Sequence, residues 1–488
     1  MSILSITTTR RTFIRQSAIA TALMPFLFSC QESSQSFSSV LDKGAIDKLR
    51  NVFGGQLILP NDAQYELKRR AGFINPDLDR HPALIAVCKN EQDVLRSLEF
   101  AQQHQLELSV RSGNHSNMGW GTVENGMVVD LSQMKSVTIN TDKKTAIVSA
   151  GATAAEILAV TAAYGLAPVL GECGSVGSGI VLGGGLGWLT GKYGATCDNL
   201  LHARMITADI QTLHADAQVN HDLFWGIRGG GGNFGIATSF EYQLHPVNEI
   251  LGGSFVYPIS KARSILRFFN EFMSHAPDEL QADCYVTRKE CWVEFVYFGD
   301  LNKGEALLNT FRKFAKPEKD SLKRRLFSDV YTMEPGGDLG TDPYVSNKGS
   351  YIERLTDEVI DFVIECVSQP PQSGNVFFDF SHYMHGEVCR IASDATAFEL
   401  RQPGAAHLTY WLTWKEPSDA AACMTWHNNI FERLESYAGG RVYSNYMSTP
   451  GGANAKSVFG SNLPRLKQLK KKYDPRNVFH LNQNILPE

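Results

Sequence analysis

GECGSVGSGIVLGGGLGWLTGKYGATCDNL, Gly171 to Leu200, cannot be one regular element. Eight glycines fall between Val176 and Leu200, and each weakens a helix or strand by roughly 0.5–1 kcal/mol relative to alanine. Such density suits backbone that must closely approach something. Small residues expose consecutive N–H groups, which makes a phosphate-cradling loop one reading and a set of tight turns the other. The Gly-Lys-Ser/Thr ending of a Walker loop is absent, as is the strand-GxGxxG-helix setting of a dinucleotide fold. That missing fingerprint excludes a nicotinamide-dependent Rossmann enzyme. Within the stretch sits Cys173, a residue type more often buried as a small hydrophobe than used for chemistry.

Two further segments share this character. RSGNHSNMGW, Arg111–Trp120, brackets His115 with glycines directly after the alternating run LELSV. RGGGGNFG, Arg228–Gly235, is a second glycine run, with a guanidinium beside it to answer negative charge. The flanking chain reads as α/β. EQDVLRSLEFAQQHQ has helical apolar spacing, LELSVRSG and LLHARMITADI read as strands, and TAAEILAVTAAYG is a helix capped by Thr153 and stopped by Gly165. From Leu251 to about Gly440 the glycine clusters thin out and aromatic strands alternate with amphipathic helices. This is the pattern of an antiparallel sheet with helices on one side. The chain as a whole is therefore read as α+β.

Composition removes other classes. The 488 residues carry 46 basic against 51 acidic side chains, a formal charge of -5, which leaves no basic excess for nucleic acid. The basic run RLKQLKKKY reads as the solvated face of a terminal helix. Nine cysteines without a CxxC pair make a disulfide framework an awkward reading. No metal site is expected. At the N-terminus, TTTRRTFIRQS precedes AIATALMPFLFSC, an apolar stretch too short to span a bilayer. The paired arginines resemble a twin-arginine export signal, and LFSC ending at Cys30 resembles a lipobox, with Phe28 a poor fit. The expected location is periplasmic or extracellular, with a lipid tether at Cys30 and no transmembrane helix in the mature chain. Residues 1–30 are read as the export signal and 31–40 as a tether.

RSGNHS, GECGSVGSGIVLGGGLGWLTGKYGATCDNL, DLFWGIRGGGGNFGIAT, ASDATAF, YSNY and KKYDPRNVFHLNQNI together resemble the FAD-linked oxidases related to berberine bridge enzyme, within the vanillyl-alcohol oxidase (PCMH-type) flavoprotein fold. The resemblance implies a two-part FAD-binding domain, residues 41–248 and 441–488, around a substrate domain at 249–440. It implies FAD bound covalently twice, through His115 to the 8α-methyl carbon and through Cys173 to C6. Arg111, Ser112, Gly113, Asn114, Ser116, Gly177, Gly184, Gly187, Gly235, Ile236 and Asn482 are the further cofactor-binding residues it points to. Asn114 stands where relatives often carry glycine, and asparagine tolerates left-handed dihedrals. Gly174-Ser175 replaces a common Pro-Thr pair. Val176 matches the residue of oxygen-reactive members, which favours an oxidase over a dehydrogenase.

Oxidising a CH–OH group by hydride transfer to flavin N5 requires a base at the hydroxyl. YSNY supplies Tyr443 and Tyr446, which as strand residues would face opposite ways. Both packing in the interior is the bland reading; the family pattern makes Tyr446 the base. A phenol titrates near 10, so a nearby cation or hydrogen bonds would have to stabilise its anion. In VFFDFSHYMHG, Phe377, Asp379, Ser381 and Tyr383 alternate with Phe378, Phe380 and His382. Asp379 in so aromatic a strand is costly to bury unless paired; Asp379, His382 and Tyr383 are candidate partners of the base. Trp411 and Trp414 fall on opposite faces, so at most one lines a cleft. The expected substrate is a sugar or other secondary alcohol, with O2 as the second substrate. An aromatic or polycyclic natural product is the alternative, and a non-catalytic periplasmic binding protein is a third.

Overall fold

The computed structural model describes residues 41–70, 72, 75–334, 336–337, 342–446 and 455–488. The export signal, the lipobox reading of Cys30 and the tether lie outside the described residues.

Two sheets share the first core. In the smaller, Gln56–Ile58, Leu84–Val87, Met127–Asp130 and Leu108–Arg111 lie side by side in that order. Its last three strands run parallel, so a crossover must join them. The helix Glu91–Gln103, capped by the Asn90 side chain, supplies it. The second sheet is antiparallel, ordered Val137–Asn140, Thr145–Ser149, Ile236–Gln243, Leu200–Ile206, Thr212–Asp216. The helix Ala154–Thr161 starts in a reciprocal capping box between Thr153 and Glu156, and Gly165 ends the following turn in left-handed conformation.

The second core lies beneath one eight-stranded antiparallel sheet. Its central strands are Glu249–Pro258, Glu290–Tyr297, Leu280–Thr287, Gly374–Ser381, Ala406–Trp414 and Tyr344–Ile352. Successive side chains point to opposite faces, and the faces differ in kind. Cys284, Val286, Phe378, Phe380, Leu408, Tyr410, Leu412 and Trp414 pack on the helices Ala262–Met273, Asp357–Ser368 and Ala420–Glu435. Tyr285, Phe377, Asp379, Ser381, Trp411 and Thr413 instead line a cavity toward the first core. The expected split of the two tryptophans holds: Trp411 lines the cleft and Trp414 is buried.

The C-terminal segment rejoins the first core through Tyr443, Leu466, Leu469, Tyr473, Phe479 and Ile485. Its basic helix is not wholly a solvated face. Lys470 is completely buried and donates to Asp474 Oδ2 at 2.7 Å, Phe479 O at 2.8 Å and Asn233 O at 3.0 Å. A buried ammonium needs these partners, and they pin the C-terminal segment to the second glycine run.

Two local readings fail for backbone reasons. Ser444–Tyr446 is a 3₁₀ turn, not a strand, so Tyr443 and Tyr446 are not placed by simple alternation. His382 has φ 53°, a left-handed conformation rare outside glycine. The alternation of Gly374–Ser381 therefore stops there. Tyr383 enters the helix-side core and bonds Asn270 O at 3.4 Å.

Candidate active site

The cavity between the two cores measures about 750 Å³, within the roughly 300–1,000 Å³ usual for ligand sites. One wall is built from the loops after Leu108–Arg111 and around Cys173. Arg111 anchors the first, its Nε and Nη2 held by Asp130 Oδ2 at 2.9 and 2.7 Å. Asn114 takes φ 58° and its Nδ2 donates to Arg70 O at 3.0 Å, so asparagine fills the left-handed position as expected. The two loops touch backbone to backbone. A Cβ on Gly113 would stand 2.3 Å from Gly177 N, and one on Gly177 would stand 2.2 Å from Ser112 Oγ. Only glycine permits that approach.

This contact brings together side chains that are 58 positions apart. His115 Nε2 lies 2.9 Å from Ser175 Oγ, and Cys173 Sγ lies 3.2 Å from the same hydroxyl. Both line the cavity. Burial lowers the His115 pKa to about 4, so its imidazole is neutral near pH 7, the form that can bond to carbon. Around the pair the wall suits a flat polar ring. Gly179 has open space where a Cβ would stand, and Gly232 meets only Asn482 Nδ2 at 3.9 Å. Arg111 Nη1 and Asn482 Oδ1 are buried without a hydrogen-bond partner in the protein. Ser112, Ser116, Gly235 and Ile236 complete this side. These residues fit the isoalloxazine and phosphate groups of FAD, with His115 and Cys173 as the residues that would hold it.

The opposite wall is the polar face of the large sheet. Asp379 accepts from Thr409 Oγ1, from Trp411 Nε1 at 3.3 Å and from Ser381 Oγ at 3.4 Å. Tyr446 lines the cavity, with its hydroxyl 3.4 Å from His382 Nε2 and its ring 4.4 Å from that of His407. His382 is 4% exposed and its Nδ1 lies 3.1 Å from Glu172 Oε1. Burial raises the Tyr446 pKa well above 10, and the charges of Glu172 and Asp379 raise it further.

The remaining candidates serve the frame. Tyr443 is buried and its hydroxyl accepts from Gly185 N at 3.1 Å and Asn445 Nδ2 at 2.9 Å, which fixes the glycine loop and leaves the phenol outside the cavity. Gly184 and Gly187 are packing glycines, since a Cβ there would meet Phe398 Cδ2 at 2.4 Å and Leu170 O at 1.8 Å. Of the two readings of that loop, tight turns prevail between Gly183 and Gly187. Arg228 turns away from the cavity, donating to Phe224 O at 3.2 Å and Ala395 O at 3.4 Å. Glu172, Ser175, Asp283 and His407 carry no motif that marks them as site residues in the sequence. The available signal for Asp283 is a lone acid in the apolar strand LQADCYVT, and for Glu172 an acid inside a glycine loop.

Among the described residues no group of three or more metal-ligating side chains occurs, and no helix is long and apolar enough to cross a membrane.

A family model described as FAD binding domain matches residues 82–216, and one described as Berberine and berberine like matches residues 442–486. The chain is 31% identical over 448 residues to the FAD-linked oxidoreductase YgaK of Bacillus subtilis, covering 89% of this chain and 97% of that one. The crystal structure of 6-hydroxy-D-nicotine oxidase from Arthrobacter nicotinovorans superposes with a TM-score of 0.79 at 25% identity, over 89% and 98% of the two chains. The glucooligosaccharide oxidase of Acremonium strictum shares the fold, with a TM-score of 0.80 at 21% identity over 91% and 98%. With the glycine-sealed slot on one wall and the titratable sheet face on the other, the chain belongs to the FAD-linked oxidoreductases of the berberine bridge enzyme-like group and is an FAD-dependent enzyme of the vanillyl-alcohol oxidase fold.

Proposed function

We propose that the enzyme oxidises a CH–OH group, of a sugar or other secondary alcohol, to the carbonyl, with O2 taking up the electrons as H2O2. The observation that carries this reading is the meeting of His115 and Cys173 on one hydroxyl, across the cavity from Tyr446. The flavin, when bound, supplies the two-electron acceptor. His115 and Cys173 are proposed to attach it covalently at two points. Tyr446 accepts the hydroxyl proton of the substrate, while Asp379, fixed by Thr409, Ser381 and Trp411, orients the substrate from the sheet. Phe377 and Trp411 stack with centroids 5.8 Å apart and planes 10° apart, and together with Tyr285 they make a flat wall suited to a sugar ring.

A second reading has its own observation. Glu172, Glu334 and Asp379 line the cavity, whose cations are Lys319 and the Asp130-paired Arg111. This balance favours a cationic substrate, and a hydroxynicotine oxidase is among the relatives. A polycyclic aromatic compound would use the same wall.

The holoprotein is expected to be yellow and to keep its colour in the pellet on acid precipitation; colour released to the supernatant would rule out covalent attachment. Screening sugars, amines and aromatic alcohols for peroxide release separates the substrate readings, and reduction without peroxide would indicate a dehydrogenase. Export by the twin-arginine route and lipidation at Cys30 are part of the same proposal, supported by the residues around Arg10 and Arg11. Cell fractionation of wild type and Arg10→Lys/Arg11→Lys tests it, with cytoplasmic retention of the variant expected.

A further inference from the structure

We infer that Ser175 is the positioning residue for covalent attachment of the flavin, its one hydroxyl aligning the His115 ring and the Cys173 thiol for the two bonds. The inference rests on the reading of His115 and Cys173 as attachment points and adds what aligns them.

Two attachments to one flavin make a demand on distance. The 8α-methyl carbon and C6 belong to the same six-membered ring, so imidazole and thiol must approach within about one ring's width of each other. Their loops are far apart in the chain, and neither loop alone sets that separation. Ser175 does. Its Oγ lies 2.9 Å from His115 Nε2 and 3.2 Å from Cys173 Sγ, so the two atoms can be no further apart than those contacts laid end to end. A hydroxyl owns one proton and two lone pairs. It can donate only one of the two bonds, so the imidazole or the thiol donates the other. The three groups therefore form one hydrogen-bonded chain. His115 and Cys173 line the cavity and Ser175 does not, which places it to act through them and not on substrate.

The hydroxyl is held because its backbone is tied on both sides. Val176 N donates to Cys173 O at 3.1 Å, closing a turn through Ser175. The first residues of the helix Ala154–Thr161 grip the same turn, Ala155 N donating to Gly174 O and Ala154 N to Val176 O, each at 2.9 Å. A Cβ on Gly174 would stand 3.0 Å from both Ala155 Cβ and Tyr331 Cβ, and one on Gly113 would stand 2.7 Å from Ser175 O. Ser175 thus sits on the seam where the two loops meet. Fixing reacting groups in this way turns a chance encounter into an intramolecular reaction. As the S–C bond forms, Cys173 loses its S–H hydrogen and the ring a C–H hydrogen. As the N–C bond forms, His115 loses its N–H hydrogen and the methyl group a C–H hydrogen. In each case the two hydrogens, with their two electrons, leave to O2 as H2O2. The thiolate is the nucleophilic form of cysteine, and the Ser175 hydroxyl is in reach of the proton it must give up.

The test needs no substrate. Trypsin places His115 and Cys173 on separate peptides, 112–135 and 145–192, and a doubly attached flavin joins them into one species that mass spectrometry counts. Full-length protein is sampled through aerobic expression. The joined species is expected to accumulate in the wild type and at a similar rate in Ser175→Thr, which keeps the hydroxyl. In Ser175→Ala it is expected to form roughly 10- to 100-fold more slowly, the scale of losing one or two hydrogen bonds. Bound FAD and melting temperature are expected to stay the same, which separates alignment from general damage. Ser175→Val, which has the shape of threonine without its hydroxyl, decides the matter if the alanine variant does not fold. Joining at the wild-type rate in the alanine or valine variant overturns the inference, as does a threonine variant no faster than these. A wild type carrying flavin on one peptide only also overturns it. If the wild type releases all its flavin on acid precipitation, the attachment reading itself fails; a doubly linked wild type with insensitive variants sinks the role of Ser175 alone.

Discussion

The two faces of the strand Gly374–Ser381 are made by alternate residues of one short sequence, yet they obey different physics. Phe378 and Phe380 point into a dry core against helices. Phe377, Asp379 and Ser381 point into the cavity. On the neighbouring strand Trp414 and Trp411 divide in the same way, as do Cys284 and Tyr285 on the strand Leu280–Thr287. The helix side tolerates almost no polarity, so its energetics are those of packing. The cavity side gathers carboxyls and histidines whose cost is set by pairing. One face holds the domain together and the other lines the cavity.

Substitutions on the two faces should separate stability from activity. The largest effect is expected for Tyr446→Phe, which removes the proposed proton acceptor. Substrate-driven flavin reduction should fall by roughly 10²–10⁴-fold with bound flavin and melting temperature preserved. Stopped-flow absorbance measures it, and an unchanged rate would move the base elsewhere in the cavity. Phe378→Ala, one layer away on the helix side, should do the reverse. It should cost about 3–5 kcal/mol of stability, read from urea unfolding, and any surviving folded protein should keep its rate.

A histidine on the helix side sharpens the contrast with pH. His427 is fully buried, its Nε2 lies 3.1 Å from Ser346 Oγ, and burial with the Lys348 charge lowers its pKa to about 3. The folded state therefore resists protonation that the unfolded chain accepts near 6.5. The stability of this region is complete above about pH 6.5 and declines as pH falls toward the folded value. By pH 5 the loss from this group is about 2 kcal/mol, and His427→Gln should flatten the slope between pH 6.5 and 4. An unchanged slope would assign acid sensitivity to other groups. The smallest effect is expected for Phe377→Leu on the cavity side. Its stability change should stay below about 1.5 kcal/mol while KM for a ring substrate rises; a large loss of stability would mean this face also packs as core.

Some parts of the site are legible in the sequence and others are hidden. The His115 and Cys173 loops stand out because their glycines are too dense for any element, and the fold shows why at Gly113 and Gly177, where a Cβ would strike the other loop's backbone or side chain. Gly184 and Gly187 carry the same signal for a different reason, close packing on Phe398 and Leu170. A glycine reports approach without naming its partner. Tyr383 escapes strand alternation because that pattern assumes extended dihedrals, and one left-handed residue, His382, turns the next side chain toward the helices. Tyr443 escapes it because a 3₁₀ turn does not alternate. Glu172 and Asp283 belong to segments far apart in the chain, and no local periodicity could pair them.

Local chain chemistry by itself determined the glycine-dense loops, the helix–sheet division and the split of the two tryptophans. Each rests on backbone sterics or on the two-residue period of a strand, which are properties of neighbouring residues. Tertiary structure alone decided that Tyr446 faces His382, that His382 faces Glu172, and that burial and nearby carboxylates raise the pKa of the phenol. Electrostatic environment sums over every group brought near in space, and the chain order does not contain those distances.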